Sequence, residues 1–289
     1  MPSLGRLLII GYPLGHTLSP LMHNTAIGEL GLPYHYEAEA VPPDGLAEAL
    51  ERFRVDEVVG FSVTIPHKET ILPLLDVVDE ETERLGAANT VVLADGRFVG
   101  TNTDGVGFLR SLTEDGSYDP EGRAAVVLGA GGAARAVAAH LALAGASSVV
   151  IANRTLSRAE RLADDLARAL GRQCFLPLPL EAPATADAIR QAECLINTTS
   201  VGMAGDPRLP VPAAWIEPHL MVCDIVYRPL ETPLLEAARA RGASTLDGLG
   251  MLIYQGAEAF RRWTGHEMPV GIVRMRLEEA LAREEAEHS

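Results

Sequence analysis

Residues 124–144 read AAVVLGAGGAARAVAAHLALA, and the change of pattern along this run decides the fold. Ala124–Leu128 is a short apolar run suited to a buried strand. Gly129-Ala130-Gly131-Gly132-Ala133-Ala134 then matches GxGxxA, and an alanine-rich helix is expected over Arg135–Ala144. A glycine-rich turn alone has little specificity, but one set between a strand and a helix is what a bound dinucleotide requires. Small residues let the pyrophosphate approach the backbone, and the helix N-terminus offers N–H donors. The next strand, Val149–Ala152, ends about 20 residues after the first glycine, where an NAD-preferring site places Asp or Glu on the ribose. Asn153, Arg154 and Thr155 stand there, followed by Arg158. An amide beside two arginines and a hydroxyl suits a 2'-phosphate, so NADP is the expected cofactor. The alternative is a pair of solvated arginines at a helix start.

Outward from this run, short strands are expected at Cys174–Leu178, Cys194–Asn197 and Met221–Val226, with a helix near Ala184–Gln191. This is the alternation of a doubly wound sheet. Gly116–Gly122 is a polar, turn-rich linker before it. Upstream, Leu7–Gly11, Tyr34–Val41 and Val58–Ile65 are expected as strands. Helices are expected at about Leu21–Leu30, with Ser19 as N-cap and Pro20 at N1, and at Asp44–Arg54. A helix over Glu69–Leu85 and a hairpin over Asn89–Thr101, turning at Asp95-Gly96, follow. Asp104 begins a helix to about Thr113. Downstream, Asp247–Met251 is expected as a turn, and Leu252–Trp263 and Val270–Glu287 as helices.

Composition narrows the function. The chain has 289 residues, 47% hydrophobic and 22% charged, which allows two domains with ample core. A formal net charge of -15 argues against a nucleic-acid partner, though a few local donors still suffice for an anionic small molecule. Cys174, Cys194 and Cys223 lie in apolar runs without metal-ligand spacing and are expected to be reduced core residues, which suits the cytoplasm. No basic leader and no run of about 18 apolar residues occurs, so neither secretion nor a membrane span is expected.

Of the 24 basic residues 23 are arginine; the one lysine is Lys68, in GFSVTIPHK (Gly60–Lys68). A lysine kept in so arginine-rich a chain suits a task guanidinium cannot perform, giving up and taking back a proton. Pro66 ends the strand before it, so Lys68 is expected just past a strand's carboxyl end, where open α/β sheets bind ligands. His16, His23 and His67 lie near these segments but lack metal-ligand spacing, and no metal site is expected.

Taken in order, LSPxxHN (Leu18–Asn24), SVTIPHK (Ser62–Lys68), AANT (Ala87–Thr90), NTDxxG (Asn102–Gly107), GAGGAAR (Gly129–Arg135), NRT at Asn153, NTTSVGM (Asn197–Met203), DIVYxPxxTPLL (Asp224–Leu235) and DGLGMLIYQGAxAFxxWTG (Asp247–Gly265) resemble the shikimate/quinate dehydrogenase family. The resemblance implies a split α/β substrate-binding catalytic domain, residues 1–103 and 249–289, around a Rossmann-type NADP-binding domain, residues 104–248. It implies reversible NADPH-dependent reduction of 3-dehydroshikimate to shikimate, by a monomer or homodimer. Thr17 and Ser19 then match residues holding the substrate carboxylate. Thr64, Asn89, Asp104 and Gln255 match ligands of the ring hydroxyls, and Tyr227 a further substrate contact. Lys68 matches the catalytic lysine, paired with Asp104; Gly248 and Met251 match nicotinamide contacts, and Thr198 and Val226 stand on the cofactor side. Two positions depart from the family pattern: Thr17 replaces a usual serine and Ser62 a common asparagine. Plainer roles remain open at this stage: Asn89 and Asp104 as turn or cap residues, Tyr227 as core, Gln255 as a solvated helix position. So do quinate as substrate, NAD as cofactor, and a non-catalytic NADP-dependent regulator on the same fold.

Overall fold

The computed structural model describes residues 4–15 and 17–288, so that His16 lies outside the described residues. The chain divides into two compact units, Met1–Thr103 with Gln255–Glu284, and Asp104–Tyr254 with Glu285–Ser289. In order, the first carries β1 (Gly5–Gly11), α1 (Ser19–Glu29), β2 (Tyr34–Ala40), α2 (Leu46–Val55), β3 (Gly60–Val63), α3 (His67–Thr70), β4 (Val77–Val78), α4 (Glu80–Leu85), β5 (Thr90–Ala94) and β6 (Arg97–Thr101). The second continues with α5 (Asp104–Arg110), β7 (Ala124–Leu128), α6 (Gly132–Leu143), β8 (Ser148–Asn153), α7 (Leu156–Leu170), β9 (Phe175–Pro179), α8 (Pro183–Gln191), β10 (Cys194–Asn197), β11 (Met221–Asp224), α9 (Pro233–Ala240) and β12 (Ser244–Leu246). Helices α10 (Leu249–Thr264) and α11 (Val270–His288) complete the chain.

The first sheet has the order β2-β1-β3-β5-β6-β4. Its first three strands are parallel, β5 runs antiparallel to both β3 and β6, and β4 joins β6 as a parallel edge. The β5–β6 turn needs left-handed backbone at both central positions, and Asp95 and Gly96 supply it at φ 51° and 73°. Leu8, Ile10, Phe61, Val63, Val91 and Phe98 pack on one core with Phe53 of α2. Elsewhere in the unit Trp263 donates its indole N–H to the Val91 carbonyl at 2.9 Å. Its ring lies so close to β3 that a Cβ on Gly60 would fall 2.3 Å from the indole.

The second sheet is parallel throughout, in the order β12-β11-β10-β7-β8-β9. Counted from β7 this is 3-2-1-4-5-6, the doubly wound order, with its switch point between β7 and β10. Leu128, Val150, Leu195 and Val222 form a core with residues of α8 and α9.

Four expectations change. Glu69–Leu85 is no single helix: α3 stops, Leu72–Leu74 makes a 3-10 turn, and β4 and α4 follow. Pro73 lacks an amide proton, and the Asp76 carboxylate takes the Phe98 N–H at 2.7 Å, drawing the segment onto β6. Asp79 then caps α4 by accepting from the Thr82 N–H at 2.7 Å. Ser19 is the first residue of α1 rather than its N-cap, because Leu18 already has helical dihedrals. Asp247–Met251 is only half a turn: Asp247 accepts the Leu249 N–H at 2.9 Å, and α10 begins there. Finally, α5 gives way after Arg110 to a π-helical turn, Ser111–Asp115.

At the carboxyl ends of β10 and β11, Asn197 donates to Asp224 at 3.0 Å, and Asp224 also accepts from the Val226 N–H at 3.0 Å and the Thr232 hydroxyl at 2.7 Å. Thr232 caps α9 through the Leu235 N–H, so one carboxylate ties two strand ends to a helix start. Asp224 is 1% exposed, and burial pushes its pKa up to about 6 against the three donors, which favour the charged form. A raised acid pKa favours folding below the unfolded value and loses that contribution as pH climbs through the folded one. Wild-type stability minus that of Asp224→Asn should therefore fall between pH 4 and 7 by about 3 kcal/mol at most. Urea unfolding across that range measures it, and a pH-independent difference would show that Asp224 is ionised throughout.

Candidate active site

In the first unit the expected polar residues gather at one end of the sheet. Parallel strands β1 and β3 end side by side, and β5 starts there because it runs the other way. Thr17 and Ser19 follow β1, Thr64 and Lys68 follow β3, and Asn89 immediately precedes β5. The loops are fastened to each other: the Thr64 N–H donates to the Ile10 carbonyl, the Tyr12 N–H to the Ile65 carbonyl, each at 2.9 Å, and the Val63 N–H to the Asn89 carbonyl at 2.7 Å. Gly11 makes this possible, since a Cβ there would lie 2.5 Å from the Thr64 methyl.

Asn89 is buried and used on both sides of its amide. Its Oδ1 accepts from the Thr103 N–H at 2.7 Å and its Nδ2 donates to the Thr103 hydroxyl at 3.0 Å and the Gln255 Oε1 at 3.4 Å. Asn89 and Gln255 are thus brought together, 166 positions apart in sequence. Thr17 donates its hydroxyl proton to Ser19 Oγ and accepts the Ser19 N–H, both at 3.2 Å, which leaves the Ser19 hydroxyl proton available to an anion. Lys68 is half-buried in α3, and its carbonyl accepts the Ala88 N–H at 2.8 Å. Asp104, buried at the start of α5, belongs to the second unit, as do Tyr227, Gly248 and Met251. Burial raises the Tyr227 phenol, which stays protonated.

Sequence reasoning passed over three supports of this cluster. Thr103, the middle residue of the NTD motif, holds Asn89. Asn24 clamps the Tyr36 backbone, donating to its carbonyl at 2.7 Å and accepting its N–H at 2.9 Å. Tyr36 donates its hydroxyl to Ser62, the position departing from asparagine, at 2.8 Å. Only tertiary pairing reveals the last two. His23 lies buried, stacked 4.2 Å from the Tyr36 ring, and burial lowers its pKa to about 3.

In the second unit the candidate cofactor residues also lie at strand carboxyl ends. Gly129 has φ 112°, and a Cβ on it would stand 2.7 Å from the Thr198 hydroxyl. Thr198 bridges the switch point, giving both its N–H (3.0 Å) and its hydroxyl (2.6 Å) to the Leu128 carbonyl. Gly131 is the N-cap of α6, which has no side-chain cap and no acidic residue in its first turn. With Ala130, Gly132 and Ala133 adding only methyls or hydrogens, the helix end keeps its N–H donors for a phosphate. At the end of β8, Asn153 Nδ2 donates to the Thr155 carbonyl at 2.9 Å. Arg154 and Arg158 are exposed, and neither has a side-chain hydrogen bond or ion pair among the described residues. Two unspent guanidinium groups beside a glycine cradle fit a phosphorylated dinucleotide. Val226 follows β11, and Gly248 packs where a Cβ would lie 2.3 Å from the Ile225 carbonyl.

Family profiles described as shikimate dehydrogenase substrate binding domain, shikimate/quinate 5-dehydrogenase and shikimate 5'-dehydrogenase C-terminal domain match residues 9–91, 112–201 and 248–278. A Moorella thermoacetica protein named shikimate dehydrogenase (NADP(+)) is 48% identical over 286 residues, covering 96% of this chain and 94% of its own. A Methanopyrus kandleri protein of the same name is 47% identical over 268 residues, 92% of each chain. Among solved structures, shikimate 5-dehydrogenase from Thermus thermophilus in complex with NADP(H) and shikimate matches with a TM-score of 0.87 at 39% identity, over 96% of this chain and 100% of that one. Quinate dehydrogenase from Corynebacterium glutamicum in complex with NAD matches with a TM-score of 0.89 at 34% identity, over 96% and 99%. Identity of this extent, running through both units, places the chain in the shikimate/quinate dehydrogenase family.

Proposed function

We propose that the chain catalyses the reversible NADPH-dependent reduction of 3-dehydroshikimate to shikimate, the step that feeds aromatic amino acid biosynthesis. Residues 1–103 and 249–289 form the substrate domain and 104–248 the NADP domain. The carrying observation is the single lysine of the chain standing at the carboxyl end of β3, on the sheet end where Thr64, Asn89 and the Thr17–Ser19 pair collect. Relatives at 46–48% identity named shikimate dehydrogenase (NADP(+)) support the same reading. The enzyme acts in the cytoplasm as a monomer or homodimer on a small anionic substrate, without a nucleic-acid or membrane partner. The net charge of -15 supports the absence of a nucleic-acid partner, and the free thiols of Cys174, Cys194 and Cys223 support a reducing compartment.

Bound NADPH supplies the hydride. Ser19, oriented by Thr17, holds the substrate carboxylate, and Thr64, Asn89, Asp104 and Gln255 take the ring hydroxyls, so that the ketone faces Lys68. Tyr227 adds a further substrate contact. As negative charge develops on the ketone oxygen, the Lys68 ammonium stabilises it and gives up a proton; Asp104 holds that ammonium in place. On the cofactor side Gly129–Ala133 and the α6 N-terminus take the pyrophosphate, and Asn153, Arg154, Thr155 and Arg158 the 2'-phosphate. Thr198, Val226, Gly248 and Met251 border the nicotinamide end. Quinate is the second reading, favoured by the match to a quinate dehydrogenase. A kinetic matrix of shikimate and quinate, each with NADP and NAD, decides between the two.

Three variants test the roles. Lys68→Ala should lower kcat by about 10²-fold or more with little change in substrate KM, and Lys68→Arg should not restore it; a near-normal kcat in either would remove Lys68 from the chemistry. Arg154→Asp should raise KM for NADP far more than for NAD, because charge-assisted bonds to the 2'-phosphate give way to repulsion. Wild-type enzyme that used NAD as well as NADP would reduce the arginines to surface charge. Thr17→Ser removes one methyl near the carbon bearing the substrate carboxylate, where quinate carries an extra hydroxyl. Wild type should favour shikimate in kcat/KM, and the variant should improve quinate use by about 1–3 kcal/mol at most. A wild-type preference for quinate would refute the steric role.

A further inference from the structure

We infer that His67 is a positioning residue for Lys68, acting through one hydrogen bond from its ring to the chain end of β2. The inference rests on the catalytic role proposed for Lys68. His67 is 0% exposed, and its Nε2 lies 2.6 Å from the Val41 carbonyl. A carbonyl only accepts, so Nε2 carries the proton and Nδ1 is left as a bare acceptor. No hydrogen-bond partner for that Nδ1 occurs among the described residues. A phenyl ring would fill the same space without burying an unpartnered nitrogen, so packing alone does not account for histidine here. The bond to Val41 does.

That bond spans a strand. His67 opens α3, separated from β3 by Thr64, Ile65 and Pro66, while Val41 directly follows β2, and β1 lies between β2 and β3 in the sheet. Val41 is itself fixed, its N–H donating to the Gly11 carbonyl at 3.0 Å. On the other side of the same short segment the Ala88 N–H holds the Lys68 carbonyl at 2.8 Å. Between them the His67 N–H donates to the Thr64 carbonyl at 2.9 Å, closing the turn around Pro66. The Lys68 α-carbon is therefore held from the β2 side through a side chain and from the β5 side through its own carbonyl. Only four residues of helix carry it, too few to fix an orientation by their own hydrogen bonding.

Two replacements separate the bond from the volume. His67→Phe keeps a flat ring and loses the donor; His67→Gln places an amide N–H at a similar reach. The phenylalanine variant should lose about tenfold in kcat, since misplacement of a reacting group by about 1 Å costs up to about 10²-fold. KM for NADP should stay unchanged, and the glutamine variant should recover kcat to within about threefold of wild type, the level the restored bond predicts. A second readout follows from Lys68 being the chain's one lysine: acylation of its ε-amine, followed by mass spectrometry of the peptide, reports this residue alone. The labelling rate should change in His67→Phe and return in His67→Gln. Wild-type kcat in a folded His67→Phe, or equal losses in both variants, would overturn the assignment. Should the phenylalanine variant not fold, the glutamine variant decides, and a tenfold loss in it overturns the proposal. Lys68→Ala, assayed alongside, keeps the two claims apart: an active alanine variant defeats the catalytic reading, whereas an inactive one beside an active His67→Phe defeats this inference only.

Discussion

The hydrogen bond from the Val63 amide to the Asn89 carbonyl, 2.7 Å long, fixes the register on which the polar end of the first sheet depends. β3 and β5 are antiparallel, so the carboxyl end of one meets the start of the other, and a slip of one residue would turn every side chain to the opposite face. With the register set as Ser62 opposite Thr90, Thr64 and Lys68 leave β3 where Asn89 enters β5. The remaining fastenings build on that pairing. Thr64 bonds to Ile10, Tyr12 to Ile65, and Asn89 to Thr103 and Gln255. Gly60 on β3 and Gly11 at the end of neighbouring β1 are needed for a shared reason: Trp263 in one case and Thr64 in the other occupies the space a methyl would require.

The second unit answers a different constraint. All of its sheet pairs are parallel, so strand ends with the same chemistry, unpaired amides and carbonyls, fall on one side and helices cover both faces. The strand order reverses between β7 and β10, which are themselves directly paired from Ala125 with Cys194 to Leu128 with Asn197. Just past the paired ends Thr198 bonds to the Leu128 carbonyl, and Gly129 must remain a glycine beside it. The start of α6, without a side-chain cap, and Arg154 and Arg158, unpaired among the described residues, concentrate positive potential at that end. An acidic chain can in this way hold a multiply charged anion, because local donors outweigh a distant net charge.

Buried polar groups in both units are chiefly held by small, closed sets of bonds. Asp224 gathers Asn197, Val226 and Thr232, and Asn89 gathers Thr103 and Gln255. His23 differs, as His67 does at Nδ1: it is stacked on Tyr36 and Phe260 with Trp263 tilted against it, and burial keeps it neutral. Closed networks of this kind cost little once formed and much when opened, which makes them effective at holding one arrangement of strand ends.

Local sequence pattern was enough to specify the strand–turn–helix at the heart of the nucleotide unit. The apolar run, glycine turn and alanine-rich helix at 124–144 use only local rules, and β7, β10 and the Asp95-Gly96 hairpin lie where those rules set them. The sequence also singled out Lys68 by composition and the ends of strands as the place for ligands. Of α7 only a helix start at the arginines is expected, although Ala159, Leu162, Ala163 and Leu166 recur at helical spacing along its buried face. What tertiary structure alone decided concerns partners distant in the chain. Asp76 breaks an expected helix by bonding to Phe98, Asn24 clamps Tyr36, Gln255 reaches Asn89, and His67 reaches past β1 to Val41. A side chain's hydrogen-bonding capacity is written in its residue type, but the atom that satisfies it is fixed only when the sheet order has brought distant segments within about 3 Å.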